Sequence, residues 1–178
     1  MRRVSVIGCA GSGKSTMARA IGARLGLRTL ELDSVFHQPA WTPRPDSEFR
    51  AVVAEFVRAR RWVVDGNYTS HGVADLVWPE ADTVVWLDPP RRVVMWRVIR
   101  RTLRRVITRE RLWNGNREPW SNLWNPRPEK NIVLWAWTRF AGTRDRYERC
   151  LGDGTWDHLA VHRLSTRRDA EDFLSGLG

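Results

Sequence analysis

Val4-Ser5-Val6-Ile7-Gly8-Cys9-Ala10-Gly11-Ser12-Gly13-Lys14-Ser15-Thr16 is the stretch that decides the fold of this chain. Val4 to Ile7 is a short β-rich run stopped by a glycine, and Met17, Ile21 and Leu25 then repeat at helical spacing, so the segment reads strand, glycine loop, helix. Gly8 to Ser15 fits the pattern G-x-x-x-x-G-K-[ST] in full, in the context the pattern requires. Its physics is specific. Glycines let successive backbone N–H groups converge on phosphate oxygens, and the helix N-terminus adds positive potential. Lys14 is expected to reach the β- and γ-phosphates, and Ser15 to offer its hydroxyl to Mg²⁺. A glycine turn that merely joined strand to helix would explain neither the Lys14-Ser15 pair nor the third glycine. The expected cradle for ATP is therefore Gly8, Cys9, Ala10, Gly11, Ser12, Gly13, Lys14, Ser15 and Thr16, with Cys9 expected mainly to pack.

Working outward, short apolar runs alternate with helical patterns. Leu30 to Asp33 reads as a second strand, Trp62 to Asp65 as a third, Thr83 to Asp88 as a fourth and Leu159 to Leu164 as a fifth. A helix is expected from Asp46, where Phe49, Val52, Val53, Phe56 and Val57 make one apolar face, and further helices over 91–107 and about 131–150. Asn-Gly, Glu-Pro, Asn-Pro and Arg-Pro steps make about 108–130 a lid-like insertion, and a loop punctuated by Pro39, Pro43 and Pro45 follows strand two. The pattern predicts one α/β domain over 1–178, its parallel sheet covered on both faces, with ligands at the C-terminal ends of the strands.

At 178 residues and 42% apolar content the chain has the size and composition of one globular domain. Met1-Arg2-Arg3 runs straight into the first strand, with neither an export signal nor a membrane-spanning run in view, so a soluble, cytoplasmic protein is expected. The net charge of +10 is concentrated, because residues 91–149 hold 16 basic against 5 acidic side chains. Nearly all of it is arginine, suited to forked contacts with phosphate oxygens. Arg97, Arg100, Arg101 and Arg104 are expected along one side of the long helix, beside an apolar stripe of Trp96, Ile99, Leu103 and Val106, with Arg91 as a further candidate.

A carboxylate at a strand end should accompany the cradle's cation. Asp65, followed by Gly66-Asn67, is the preferred metal partner beside Ser15, and Asp88 competes with it. Asp33 can orient or deprotonate an acceptor hydroxyl, with His37 and Asn67-Tyr68 as neighbouring contacts. The expected catalytic set is Lys14, Asp33, Arg97 and Arg101. No N-K-x-D element for reading guanine is present. Eleven tryptophans interleaved with arginine also support an alternative, a nucleic-acid-binding ATPase using residues 91–149, although Trp62, Trp86 and Trp96 fall in apolar patterns expected to be core.

The glycine motif, Leu32-Asp33-Ser34-Val35-Phe36, Trp62 to Tyr68 and Asp82 to Asp88 together resemble the adenylate-kinase-related P-loop family often labelled DNA topology modulation protein. The resemblance implies a P-loop, nucleoside-monophosphate-kinase-like fold with a five-stranded parallel sheet, an acceptor-binding segment after strand two, over about 34–61, and an arginine-bearing lid. The spacing of Arg97 and Arg101 is similar to that of the lid arginines in adenylate kinases. Those enzymes carry D-G-F-P-R where this chain has Asp65-Gly66-Asn67-Tyr68-Thr69, so the nucleotide-orienting arginine is missing. Asp33 stands where shikimate- and gluconate-type kinases carry an acceptor-binding carboxylate. The activity implied is ATP-dependent phosphorylation of a small molecule.

Overall fold

Five strands form the sheet: β1 (Arg3–Gly8), β2 (Arg28–Glu31), β3 (Trp62–Asp65), β4 (Thr83–Leu87) and β5 (Ala160–Leu164). The helices are α1 (Lys14–Leu25), α2 (Leu32–Phe36), α3 (Asp46–Val57), α4 (Ala74–Val77), α5 (Arg91–Thr108), α6 (Ser121–Trp124), α7 (Ile132–Gly152) and α8 (Arg167–Ser175). The computed structural model describes residues 1–177, the side chain of Thr69 excepted. All strand pairs are parallel, in the order β2-β3-β1-β4-β5.

The central strand alternates between two cores. Val4 and Val6 point to one face, where Val63, Val85 and Leu87 meet Met17, Ala18 and Ile21 of α1. Ile7 points to the other, where Trp62, Val64, Val84 and Trp86 meet Phe49, Val53 and Val57 of α3. Burial on both faces is why these strands read as continuous apolar runs. Each fully buried Val or Phe contributes roughly 1.5–3 kcal/mol of transfer free energy. A third cluster packs Val94, Met95 and Val98 of α5 on Ala136 and Phe140 of α7.

Register positions the site. Val6 lies opposite Asp65 and Gly8 opposite Leu87, so the loop after β1 emerges between Asp65 on one side and Asp88 on the other. This is the crevice at the strand ends where such sheets bind ligands.

Several expectations are corrected. The second strand ends at Glu31, its last pairing being with Asp65; Leu32 then turns into the core as the start of α2, and Asp33 occupies a helical first turn. The Ser34 hydroxyl, donating to the Glu31 carbonyl at 2.7 Å, fixes that turn. The stripe on α5 is also different. Val94, Met95, Val98, Thr102 and Val106 are buried, whereas Trp96 is 64% exposed and Leu103 39%, so Trp96 is not a core residue. Trp62 and Trp86 are buried as expected. The insertion is not structureless, since it contains α6 and two single 3₁₀ turns. α8 was not foreseen, although Thr166 and Asp169 form a reciprocal capping box with bonds of 3.1 and 2.9 Å, a pattern visible in sequence. Among the described residues no helix is long and apolar enough to cross a membrane.

Candidate active site

The loop from Gly8 to Gly13 is held open by its neighbours rather than by its own side chains. A Cβ on Gly8 would strike the Leu87 carbonyl and come within 2.8 Å of the Ser12 hydroxyl. One on Gly11, where φ is +80°, would lie 2.5 Å from Val98 Cγ2 and 3.0 Å from the Val94 carbonyl. The loop therefore rests directly on the backbone of α5. Asn67 clasps its start, accepting from the Gly8 N–H at 3.2 Å and donating to the Gly8 carbonyl at 2.7 Å. Asn67 thus fixes the loop instead of lining the acceptor side. Lys14 Nζ donates to the Cys9 carbonyl at 3.1 Å, folded back over the loop. Cys9 packs beside the third core cluster, and burial pushes its thiol up, with the Lys14 charge opposing.

Two buried atoms of this region lack partners: the hydroxyl of Ser12 and Oδ1 of Asp65. Asp65 is 5% exposed, and burial pushes its carboxyl up to about 6, partly offset by the Lys14 charge and the Ser15 hydroxyl. A sealed carboxylate oxygen beside Ser15 and Lys14 is a group in want of a cation. Asp88 is differently placed: Arg163 holds it through two bonds, at 2.9 and 2.5 Å, and Arg144 Nε lies at 3.4 Å. Its charge is already matched. The residues fit Mg²⁺ bound with nucleotide phosphates at Ser15 and Asp65. Among the described residues, no group of three His, Cys, Asp or Glu side chains would hold a metal alone.

Of the arginines on α5, Arg97 reaches the loop, its Nη1 donating to the Ser12 carbonyl at 2.9 Å. Arg101 lies one turn further on, its Nε shut off from solvent without a partner, in the field of Arg105, Glu118 and Asp33. Arg105 pairs with Glu118 at 3.3 Å, both side chains largely buried. Arg100 and Arg104 are exposed, and Arg104 pairs with Glu110 at 2.9 Å. The four expected arginines are therefore not on one side; Arg97, Arg101 and Arg105, at spacings of four, form one row, in which Arg97 is exposed yet reaches the loop and Arg101 and Arg105 are partly buried. Arg91 stacks over the Trp137 ring at 3.5 Å and donates to the Trp137 carbonyl, away from the loop.

Asp33 accepts from the Tyr68 hydroxyl at 2.6 Å, and His37 Nε2 lies 3.5 Å from the same hydroxyl. Burial and the Asp33 charge push the Tyr68 phenol up, so it remains a donor. Burial lowers His37 below its ordinary value, against the pull of Asp33, which keeps the imidazole neutral near pH 7.

The insertion closes over this side through residues that were not foreseen. Asn116, buried, accepts from the Trp41 N–H at 3.0 Å and donates to the Gln38 carbonyl at 2.9 Å. Asn114 donates to the carbonyls of His37 and Ser34, at 2.6 and 3.1 Å. Trp113 donates to Glu31 at 3.0 Å and lies nearly parallel to the His37 ring. Most of these contacts join a side chain to a distant backbone group, which no sequence spacing announces. Arg105 alone had a signal, the continued four-residue repeat after Arg97 and Arg101.

Comparison with solved structures places the architecture. The chain is similar in fold to a shikimate kinase from Acinetobacter baumannii in complex with shikimate, with a TM-score of 0.62 and 16% identity, covering 99% of this chain and 90% of that one. It is also similar to a gluconokinase from Sinorhizobium meliloti, with a TM-score of 0.53 and 18% identity over 99% and 93% of the two chains. For a sugar kinase from a Janibacter species the values are 0.54, 18%, 99% and 91%. No protein-family model matches the chain, and no curated protein matches it. The fold is that of the P-loop, nucleoside-monophosphate-kinase-like proteins.

Proposed function

We propose that the protein is an ATP-dependent kinase that phosphorylates a hydroxyl of a small molecule, and that it belongs with the adenylate-kinase-related proteins labelled DNA topology modulation protein. The observation that supports the activity is Asp33, held by Tyr68 just past the end of β2, at the same edge of the parallel sheet from which the complete phosphate-loop motif leaves β1. The fold neighbours, named as kinases of shikimate, gluconate and a sugar, support the same reading.

In this reading the loop N–H groups, Lys14 and Arg97 hold the donor's phosphates and offset charge on the moving group. Ser15 and Asp65 would hold Mg²⁺ together with the nucleotide, and the bound ion would further neutralise that charge. Tyr68 fixes one oxygen of Asp33 and leaves the other for the acceptor. A bond forms between the acceptor oxygen and the γ-phosphorus, and the bond from that phosphorus to the β-bridging oxygen breaks. The hydroxyl proton passes to Asp33, giving ADP and a phosphate monoester. Closure of residues 113–117 over 34–41 excludes water, which would otherwise compete as acceptor.

A second reading, a nucleic-acid-binding ATPase, rests on exposed aromatics among the arginines: Trp96, Trp120, Trp124 and Trp137. ADP release measured over a panel of hydroxylated metabolites, with single-stranded DNA and RNA as parallel arms, separates the two. The kinase reading expects a metabolite to raise ADP release well above the basal rate. Stimulation by polynucleotide alone would replace it with the second reading.

A further inference from the structure

Buried arginine is costly unless an anion meets it, because guanidinium keeps its charge at every accessible pH. Each arginine reaching the crevice from α5 can be checked for its partner. Arg97 donates to the Ser12 carbonyl at the phosphate loop. Arg105 faces Glu118 at 3.3 Å and Glu110 at 3.9 Å. Arg44, from the acceptor side, donates to the Val35 carbonyl at 2.9 Å and lies 3.5 Å from Glu48. Arg101 is the exception among these: its Nε, like that of Arg105, is sealed from water with no hydrogen-bond partner, but among the described residues no other hydrogen bond and no ion pair engages its guanidinium either.

Its position separates it from the donor's phosphates. Arg97 marks the cradle end of the helix, and Arg101 stands just over one turn, about 6 Å, further along. The carboxylates that act on Arg101 are Asp33 and Glu118, one on the acceptor side and one on the closing insertion. On that side His37 is neutral near pH 7, the Tyr68 hydroxyl is committed to Asp33, and Arg117 of the insertion, whose carbonyl accepts from the Trp41 indole, is exposed to solvent.

We propose that the acceptor is a small hydroxylated anion, whose carboxylate or phosphate seats on Arg101 while its reacting hydroxyl meets Asp33. This rests on the kinase reading and adds to it the class of substrate. The anion supplies the missing partner of the buried guanidinium, and the two groups define a molecule with a hydroxyl and an oxyanion at opposite ends. Closure by Trp113, Asn114 and Asn116 limits it to a compact one.

The test uses the full chain loaded with Mg²⁺ and a non-hydrolysable ATP analogue, so that the phosphate loop is filled before any probe is added. Glycerol, glycerate, glycerol 3-phosphate and inorganic phosphate are then titrated by calorimetry and by thermal shift. At least one anion should bind about tenfold or more tightly than glycerol, as expected for charge-assisted hydrogen bonds. Glycerate against glycerol 3-phosphate tells carboxylate from phosphate. Arg101→Met should remove the preference while leaving analogue affinity within about twofold, and Arg101→Lys should restore part of it. Without ligand, Arg101→Met should melt higher than the parent, since a buried unpaired charge has gone; a merely structural arginine would give a lower melting temperature. Absence of anion binding, anion binding unchanged in Arg101→Met, or loss of analogue affinity in that variant each overturns the proposal. Arg101-dependent anion binding without phosphoryl transfer to any compound would sink the kinase reading and leave the anion site standing.

Discussion

The donor side and the acceptor side of the crevice are built in opposite ways. The donor side is one contiguous segment, residues 8–16, shaped by backbone geometry and clasped by Asn67 and α5. The proposed acceptor side is assembled from four places: Glu31 to Trp41, Tyr68, the α5 residues Arg101 and Arg105, and residues 113–118. The first is the same whatever the acceptor, because every nucleoside triphosphate presents the same phosphates. The second is held by side chains that can be exchanged singly, so in the proposed reading it sets specificity.

Breaking each side separately sharpens that contrast. The largest effect is expected from Lys14→Met, which should lower kcat by about 10³-fold or more, because charge on the moving phosphoryl group loses its preorganised partner. Next, Asp33→Asn should lower turnover by about 10²- to 10⁴-fold with nucleotide affinity intact. Tight-binding assays with a fluorescent ATP analogue would distinguish the two: loss of nucleotide binding in Asp33→Asn would move Asp33 to the donor side.

Asp65→Asn tests the metal partner through stability as well as activity. Its carboxyl is held up near 6, against an ordinary 3.8, so the folded state takes up a proton that the unfolded chain releases between about pH 4 and 6. Stability therefore falls as pH rises through that window, and the penalty is complete at pH 7.5. The variant should be more stable than the parent by up to about 3 kcal/mol at pH 7.5, no more stable at pH 4, and should lose its Mg²⁺ requirement together with its activity. Denaturant titration at the two pH values reads it, and equal stability at both would show that Asp65 carries no such strain. The smallest effect is expected from Asn116→Ala, which removes bonds to Trp41 and Gln38 and should loosen the closing segment by about 1–2 kcal/mol. Hydrogen exchange over 112–118 should accelerate while the phosphate loop keeps its protection.

The same contrast explains what could be read in the sequence. The five strands, the glycine loop between β1 and α1, and the end of β3 at Asp65 were legible because each depends on local periodicity or on a motif whose spacing is set by backbone chemistry. Asp33 was legible as a carboxylate closing strand two, although the strand stops at Glu31 and turns into helix where Leu32 enters the core. The side of α5 that faces the site was not, since Trp96 and Leu103 mimic a core stripe and only packing against α7 selects Val94, Met95 and Val98 instead. Asn67 was placed on the wrong side of the crevice. Its amide bridges Gly8, and that pairing, like those of Asn114 and Asn116, spans about 60 to 80 residues.

The central claim is that the crevice moves phosphate from ATP to a hydroxyl. Phosphorus NMR of the products, formed from ATP, Mg²⁺ and the compound that most raises ADP release, tests it directly. The account predicts one phosphate monoester for every ADP, with both signals lost in Asp33→Asn. ADP matched by inorganic phosphate, with no monoester, would contradict it and make the protein an ATPase.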